Sequence, residues 1–382
     1  MSVAGPSGTR AAGSVAIVGA AECDLGKTGK SVLELQTQAI TRALADAGLT
    51  LSDVDGLATN GISRFSVTQL ADWLGLQPRW GDSTFAGGSV FEMYVARAAQ
   101  AITSGQCSTV VVSYASNQRS ARSRSLTGVY EEGTPEAALE EPYRPLYPIS
   151  YYAMVAQRYL HTYGLDRASL AAVAVAAREK AQLNPAAWTY GKGTLTVDDV
   201  LGAPMISSPL GALDCCLVTD GGGAIVLTSL ERARDLPSRP VVVLGYGEAF
   251  THTGMATAPD LLRTGAIDSG RRAFTRAGVT PADIDVVQLY DSFTISVPLG
   301  LEALGFASPG EGLGFTGPHN TGGGGLAYCH PGQLGVLLLV EAVRQLRGSC
   351  GPRQVPGASL ALAHGTGGIF SSHATVILGV DR

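Results

Sequence analysis

Residues 319 to 332 read HNTGGGGLAYCHPG and hold the densest chemistry in the chain. Four consecutive glycines, Gly322, Gly323, Gly324 and Gly325, run ahead of Tyr328, Cys329 and His330. Glycine runs cost backbone entropy and persist where backbone passes very close to something or turns through positive φ. Two further segments bring matching side chains. YDSFTI carries Tyr290 and Asp291, and HGTGG carries His364 with Gly367 and Gly368. A phenol ionises near pH 10 and an imidazole near 6.5. Placed together, they can pass a proton to or from a hydroxyl and donate to a developing oxyanion. No CxxC and no HExxH occurs, so no zinc site is expected.

Each of these residues also has a plainer role open to it. Tyr290 could close the end of a strand, His330 could cap a helix beginning near Gln333, and His364 could be a satisfied core histidine. Asp291 is read as a cap for the next helix, Asp220 as a turn former and Cys215–Cys216 as buried packing. His319 reads as a surface-loop residue and His373 as packing against an edge. Cys329 could be a nucleophilic thiol, but strand-like alternation would turn it away from Tyr328 and His330.

The elements that would position these groups repeat. ALADAGLTLSDVDGLATN (43–60) aligns without a gap on AFTRAGVTPADIDVVQLY (273–290) at an offset of 230, with Ala43/Ala273, Gly48/Gly278, Thr50/Thr280, Asp53/Asp283 and Asp55/Asp285 identical. Each copy reads as an amphipathic helix, a glycine C-cap, a Thr-x-x-Asp turn and an apolar strand. Looser pairs follow: 95–116 with 338–368, and 222–229 with 372–379. Helices alternating with short apolar strands predict an α/β fold built from two pseudo-repeated halves, 1–239 and 240–382. The stretch from about 118 to 210 has no counterpart. It reads as a helical insertion that covers the site or builds a subunit contact.

The bulk numbers exclude several functions. With 45% hydrophobic residues, 15% charged residues and a net charge of −5, the chain can bury a large core and has no basic block for nucleic acid. No apolar run reaches membrane-spanning length, and residues 1–20 lack a secretory core. Six cysteines without a framework spacing fit a reducing, cytoplasmic setting.

The duplication, together with VAIVGAAEC, PLGALDCCLVTDGGGAIVLTS, YDSFTI, HNTGGGGLAYCHPG, EAVRQLRG and HGTGGIFSSHATVILG, resembles the thiolase superfamily. The likeness is to its lipid-transfer-protein-like branch, related to sterol-carrier-protein thiolases, and runs from about Ser14 to Val380. It implies a thiolase fold with five layers, α-β-α-β-α, a homodimer, and an acyl-CoA site between the halves. Asn320 and Gly322 to Gly325, with Gly367 and Gly368, would then lie against the CoA thioester, which is a substrate rather than a resident cofactor. The family's acyl-accepting cysteine would fall near Gly87 or Gly88, and no cysteine lies between Cys23 and Cys107. Its oxyanion asparagine corresponds to Tyr290, its Gly-His-Pro histidine to His330, and its second cysteine to His364.

That pattern resembles the steroid side-chain aldolases of the same branch, whose two catalytic tyrosines match Tyr290 and Tyr328. The resemblance implies retro-aldol or aldol chemistry on a bulky β-hydroxyacyl-CoA, with tyrosine acid–base catalysis by Tyr290 and Tyr328, assisted by His330 and His364, and no acyl-enzyme. It also implies a small partner with an OB fold and a zinc ribbon. Two alternatives stay open: a thiolase acyltransferase using Ser89 or Cys329 as nucleophile, and a non-catalytic acyl-CoA- or lipid-binding protein.

Overall fold

The computed structural model describes residues 13–124 and 130–381. The first half runs β1 (Val15–Glu22), α1 (Val32–Ala47), β2 (Gly56–Ala58), α2 (Ser66–Leu74), β3 (Trp80–Asp82), α3 (Val90–Thr103) and β4 (Thr109–Ser116). A long excursion follows, with α4 (Pro135–Leu139), α5 (Ile149–Tyr163), α6 (Arg167–Ala181), α7 (Val197–Gly202) and the small hairpin β5 (Met205–Ser207) and β6 (Leu210–Gly211). The chain then returns as β7 (Gly221–Ser229) and α8 (Leu230–Ala233). The second half runs β8 (Val241–Phe250), α9 (Ala266–Ala277), β9 (Val286–Leu289), α10 (Ser296–Ala303), α11 (Gly335–Arg347), β10 (Leu360–Gly367) and β11 (Ser372–Val380).

The repeat seen in the sequence is a repeat of contacts. Both α1 and α9 end at glycines in the left-handed region, Gly48 at φ 70° and Gly278 at φ 67°. Both are followed by a turn in which Asp53 or Asp283 caps the backbone of Thr50 or Thr280. Gly19 on β1 lets the helix lie on the strand at Ala43, and Gly245 on β8 does the same at Ala273, since a Cβ on either would overlap that alanine's carbonyl. The identical aspartates tie neighbouring strands together. Asp55 accepts from the backbone of Ser108 and Thr109, both at 2.8 Å, and Asp285 from Ser359 at 2.8 Å and Leu360 at 2.9 Å. In each half a carboxylate ahead of one strand thus sets the start of the strand beside it.

The nine main strands form one sheet in the order β3-β2-β4-β7-β1-β8-β11-β10-β9. The order β2-β4-β7-β1 is mirrored by β9-β10-β11-β8, and β1 pairs with β8 at Ala16 with Val242 and Ile17 with Val241. Helices α3 and α11 are buried between the halves of the sheet, α1 and α2 cover one outer face, and α9 and α10 cover the other. This is the five-layer α-β-α-β-α arrangement. Helix α5 packs Tyr152, Val155 and Tyr159 against Phe293, Ile295 and Phe370 of the second half, so the excursion roofs the ends of β9 and β10. No helix among the described residues is long and apolar enough to cross a membrane.

Hydrogen bonds to an ionised carboxylate contribute about 1.5–3 kcal/mol each site. Asp55→Ala and Asp285→Ala are therefore each expected to lower unfolding free energy by about 2 kcal/mol, measured by urea denaturation. Similar losses at the two positions would confirm that they do the same job.

Candidate active site

A cavity of about 630 Å³ opens where the C-terminal ends of β9 and β10 meet the start of α3. Tyr290, Ser292 and Phe293 reach it from the end of β9, and His330, Gly332 and Gln333 from the loop before α11. Thr366, Gly368, Ser371 and Ser372 come from the β10–β11 hairpin, and Phe85, Gly87 and Gly88 from the approach to α3. The excursion contributes Gln118, Arg124, Tyr147, Pro148, Tyr152 and Cys216, and His252 completes the rim.

Tyr290 is held at both ends. Its backbone N–H donates to the His364 carbonyl at 3.0 Å and its phenol donates to the Gly332 carbonyl at 3.2 Å. The ring lies across Gly88, where a Cβ would come within 2.5 Å of the Tyr290 Cζ and 2.7 Å of the Thr366 carbonyl. The place where the resemblance puts an acyl-accepting cysteine is thus filled by the Tyr290 ring. His330 stands beside that ring, edge to face, with centroids 5.5 Å apart, and neither of its nitrogens has a hydrogen-bond partner among the described residues. Burial, helped by Arg124, pushes its pKa down to about 3, while burial, with Cys216 and Tyr152 adding to it, drives that of Tyr290 well above the ordinary phenol value. Both groups are therefore uncharged near neutral pH. His330 lines the cavity as a neutral ring with one N–H donor and one bare acceptor.

The other residues singled out from the sequence lie elsewhere. Tyr328 does not line the cavity. It ends a π-helical turn, Gly324–Tyr328, its carbonyl accepts from Trp188 at 2.9 Å, and its buried phenol lies in the field of the Glu22–Arg344 ion pair. His364 is also behind the cavity. The Phe370 carbonyl accepts from His373 Nε2 at 3.0 Å, which leaves His373 Nδ1 to accept from His364 Nε2 at 3.2 Å and His364 Nδ1 to accept from the Thr375 hydroxyl at 2.8 Å. His373 is accordingly a buried partner of His364 and not an edge residue.

The glycine run is corrected in the same way. Gly322 lies against Asn184 and Glu341, and Gly323 against Ala181. A Cβ on Gly324 would overlap the Asp291 carboxylate, and one on Gly325 would press on the Asp291 carbonyl at 3.0 Å and His330. Asp291 caps this turn, accepting from Gly325 N at 2.6 Å and Leu326 N at 3.3 Å, and does not cap α10. Burial raises its pKa to about 7. Asn320 brackets Leu289, accepting from its N–H at 2.7 Å and donating to its carbonyl at 3.1 Å, so it pins β9. Gly367 packs under the Ala86 carbonyl, and only Gly368 of that pair lines the cavity.

Three further expectations change. His319 is half-buried, with Nδ1 on the Gly317 carbonyl at 2.9 Å. Asp220 is fully buried and gathers Thr28 and Ser120. Cys216 lines the cavity instead of packing beside Cys215. Both candidate nucleophiles are out of place. The Ser89 hydroxyl donates to the Ala86 carbonyl at 2.9 Å and lies 2.9 Å from the Ser372 hydroxyl, and Cys329 Sγ lies 3.2 Å from the Thr219 hydroxyl.

Tyr152, Ser292, Cys216, Arg124 and His252 had no motif to mark them. Tyr152 stands at core spacing in an aromatic helix, and such spacing reads as packing. Ser292 lies inside YDSFTI, next to the stronger acid–base candidates Tyr290 and Asp291.

The family described as Thiolase C-terminal domain-like matches residues 247–380. A 17-hydroxy-3-oxo-4-pregnene-20-carboxyl-CoA lyase of Mycobacterium tuberculosis is 35% identical, the match covering 88% of this chain and 92% of the relative. The chain belongs to the thiolase superfamily. A steroid side-chain-cleaving aldolase of Thermomonospora curvata is 34% identical over 97% of this chain and 99% of its own. The solved structure of an Ltp2-ChsH2(DUF35) aldolase superposes with a TM-score of 0.88 at 33% identity, covering 97% of this chain and 99% of that one. This thiolase-superfamily chain therefore sits among relatives named for lyase and aldolase activity.

Gly88→Ala places a methyl group in the Tyr290 ring and is expected to cost about 1–3 kcal/mol, as overpacking does. Tyr290→Ala should relieve that cost, so the double variant should show a coupling free energy of comparable size in thermal or urea unfolding.

The buried histidines set a pH dependence. His330 and His373, pushed down to about 3 and about 4, and His364, pushed well below the usual value, stay neutral in the fold but take up protons in the unfolded chain below about pH 6.5. Stability is thus retained above about pH 6.5 and falls below it, by about 1.4 kcal/mol per pH unit for each histidine. Asp291 and Glu92, both raised by burial, oppose the trend, because they are protonated in the fold where the unfolded chain is ionised. His330→Asn should flatten the stability slope between about pH 6 and 4.5 by roughly 1.4 kcal/mol per unit, read from urea midpoints across that range.

Proposed function

We propose that this chain is a carbon–carbon lyase that cleaves a β-hydroxyacyl-CoA with a bulky side chain by retro-aldol chemistry. The observation that carries the reading is the Tyr290 ring lying over a bare Gly88, in a cavity that also holds an unpartnered His330. The names of the relatives, a steroid-CoA lyase and a steroid side-chain-cleaving aldolase, support it.

Retro-aldol cleavage removes the β-hydroxyl proton and places negative charge on the thioester oxygen. The phenol of Tyr290 leaves the Gly332 carbonyl when substrate binds and takes the hydroxyl proton as its own proton passes to the bare nitrogen of His330. The other His330 nitrogen donates its hydrogen to the thioester oxygen as the enolate forms. Passing protons between neutral groups avoids a phenolate that burial makes costly. Such proton transfer contributes about 10²–10⁴-fold and an oxyanion donor a similar factor. Tyr328 and His364 act by position in this scheme, through the turn that carries His330 and the strand that carries the Tyr290 contact. Phe85, Tyr147, Tyr152 and Phe293 give the cavity an aromatic wall suited to a large apolar acyl group.

No resident cofactor is required. The solved relative carries a second protein in its name, and a small partner with an OB fold and a zinc ribbon is proposed here too, on a homodimer in the cytoplasm.

The test is cleavage of 17-hydroxy-3-oxo-4-pregnene-20-carboxyl-CoA, followed by release of the shortened acyl-CoA. Tyr290→Phe and His330→Ala should each lower kcat by about 10² or more, and intact-mass spectra of the wild type with substrate should show no acyl adduct. An acyl-enzyme mass, or near-normal rates in both variants, would overturn the reading.

A further inference from the structure

Three tyrosines, Tyr147, Tyr152 and Tyr290, line this cavity, and only Tyr290 has been assigned a task. Tyr152 reaches it from α5 and is buried. Its ring is clamped by Phe293, at 4.4 Å between centroids, and Phe370, at 4.6 Å. Two aromatic contacts fix the direction of the hydroxyl.

The hydrogen bonds of Tyr152 and Tyr290 are longer than those of several other tyrosines. Tyr290 donates to the Gly332 carbonyl and Tyr152 to the Gly368 carbonyl, each at 3.2 Å. O–H···O bonds in proteins usually span about 2.5–3.0 Å. Tyr94 bonds Thr84 at 2.6 Å, Tyr130 bonds Tyr151 at 2.7 Å and Tyr114 bonds Pro331 at 3.0 Å. Tyr152 and Tyr290 therefore make loose bonds to glycine carbonyls on the cavity walls. A ligand atom entering between them displaces little.

We propose that Tyr152 is the acid that delivers a proton to the α-carbon of the enolate left by carbon–carbon cleavage. This rests on the lyase reading above. When the Cα–Cβ bond breaks, its electron pair becomes the enolate and the β-carbon leaves as a carbonyl. Tyr152 gives its hydroxyl proton to Cα, and a C–H bond forms. The imidazolium of His330, which holds the proton that came through Tyr290, returns it to the Tyr152 oxygen. One O–H proton of the substrate has become one C–H proton of the product, with no oxidant or reductant. Burial keeps Tyr152 un-ionised until it is used, with its pKa pushed up and the neighbouring Cys216 and Tyr147 adding to the effect.

The experiment uses the full chain and 17-hydroxy-3-oxo-4-pregnene-20-carboxyl-CoA. Tyr152→Phe keeps both aromatic contacts and removes only the hydroxyl. It should lower kcat by about 30-fold or more and leave KM and the melting temperature close to wild type. Tyr151→Phe, one residue away and outside the cavity, serves as the control and should cleave normally. A second readout isolates the step. With a short saturated acyl-CoA in D2O, the wild type should exchange α-hydrogen for deuterium. Tyr152→Phe should lose that exchange while Tyr290→Phe keeps it, because Tyr290 acts at the β-oxygen. Cleavage and exchange by Tyr152→Phe at wild-type rates would overturn the inference and leave the lyase reading standing. A wild type that cleaves nothing would remove the reading and this inference with it.

Discussion

The Tyr290 ring and the missing side chain of Gly88 occupy one volume, and only one of them can be large. A residue with a Cβ at 88 would meet the ring and the Thr366 carbonyl together. Neither obstacle is a flexible side-chain end that could swing aside. Once the ring lies there, the start of α3 has no room for a nucleophile. The phenol is aimed at the Gly332 carbonyl, and His330 stands against the ring's edge. The rest of the cavity is arranged around that choice.

A second constraint supports the first from behind. Asp291, next in the chain to Tyr290, is buried and bonds the backbone of the Gly324–Tyr328 turn. Gly324 and Gly325 are bare because its carboxylate needs their space. The turn leads directly into His330, so the residue that fixes the end of β9 also fixes where the imidazole emerges. Asn320 closes the arrangement by bracketing Leu289. The entropy cost of the glycine run is offset by packing within the protein, one layer beneath the cavity.

Electrostatics follows from burial. Tyr290, Tyr152 and His330 are held neutral, because burial removes the hydration that a charge on them would need. Such a site is poorly suited to a standing ion and well suited to proton exchange between neutral partners. The same burial makes the fold sensitive to acid.

Local signals settled much of this protein. The Gly48 and Gly278 caps, the Thr50 and Thr280 turns and the paired Asp55 and Asp285 could be read directly, because each acts on backbone within a few residues or at a strand start fixed by the repeat. The alternating helices and strands of that repeat pointed to an α/β fold, the five layers were implied by the family resemblance, and the absence of a cysteine near Gly87 and Gly88 pointed away from acyl transfer. Which side chains face the cavity was a different matter. Tyr328 and His330 are two residues apart, yet only His330 lines it, because a π-helical turn folded round Asp291 does not follow strand alternation. His364 was drawn behind the cavity by Thr375 and His373, partners from the neighbouring strand. Tyr152 entered it from an excursion whose aromatic spacing looked like packing. Residue types and backbone punctuation are local properties and can be read in one dimension. The facing of a buried side chain depends on partners far away in the chain, and only the folded structure decides it.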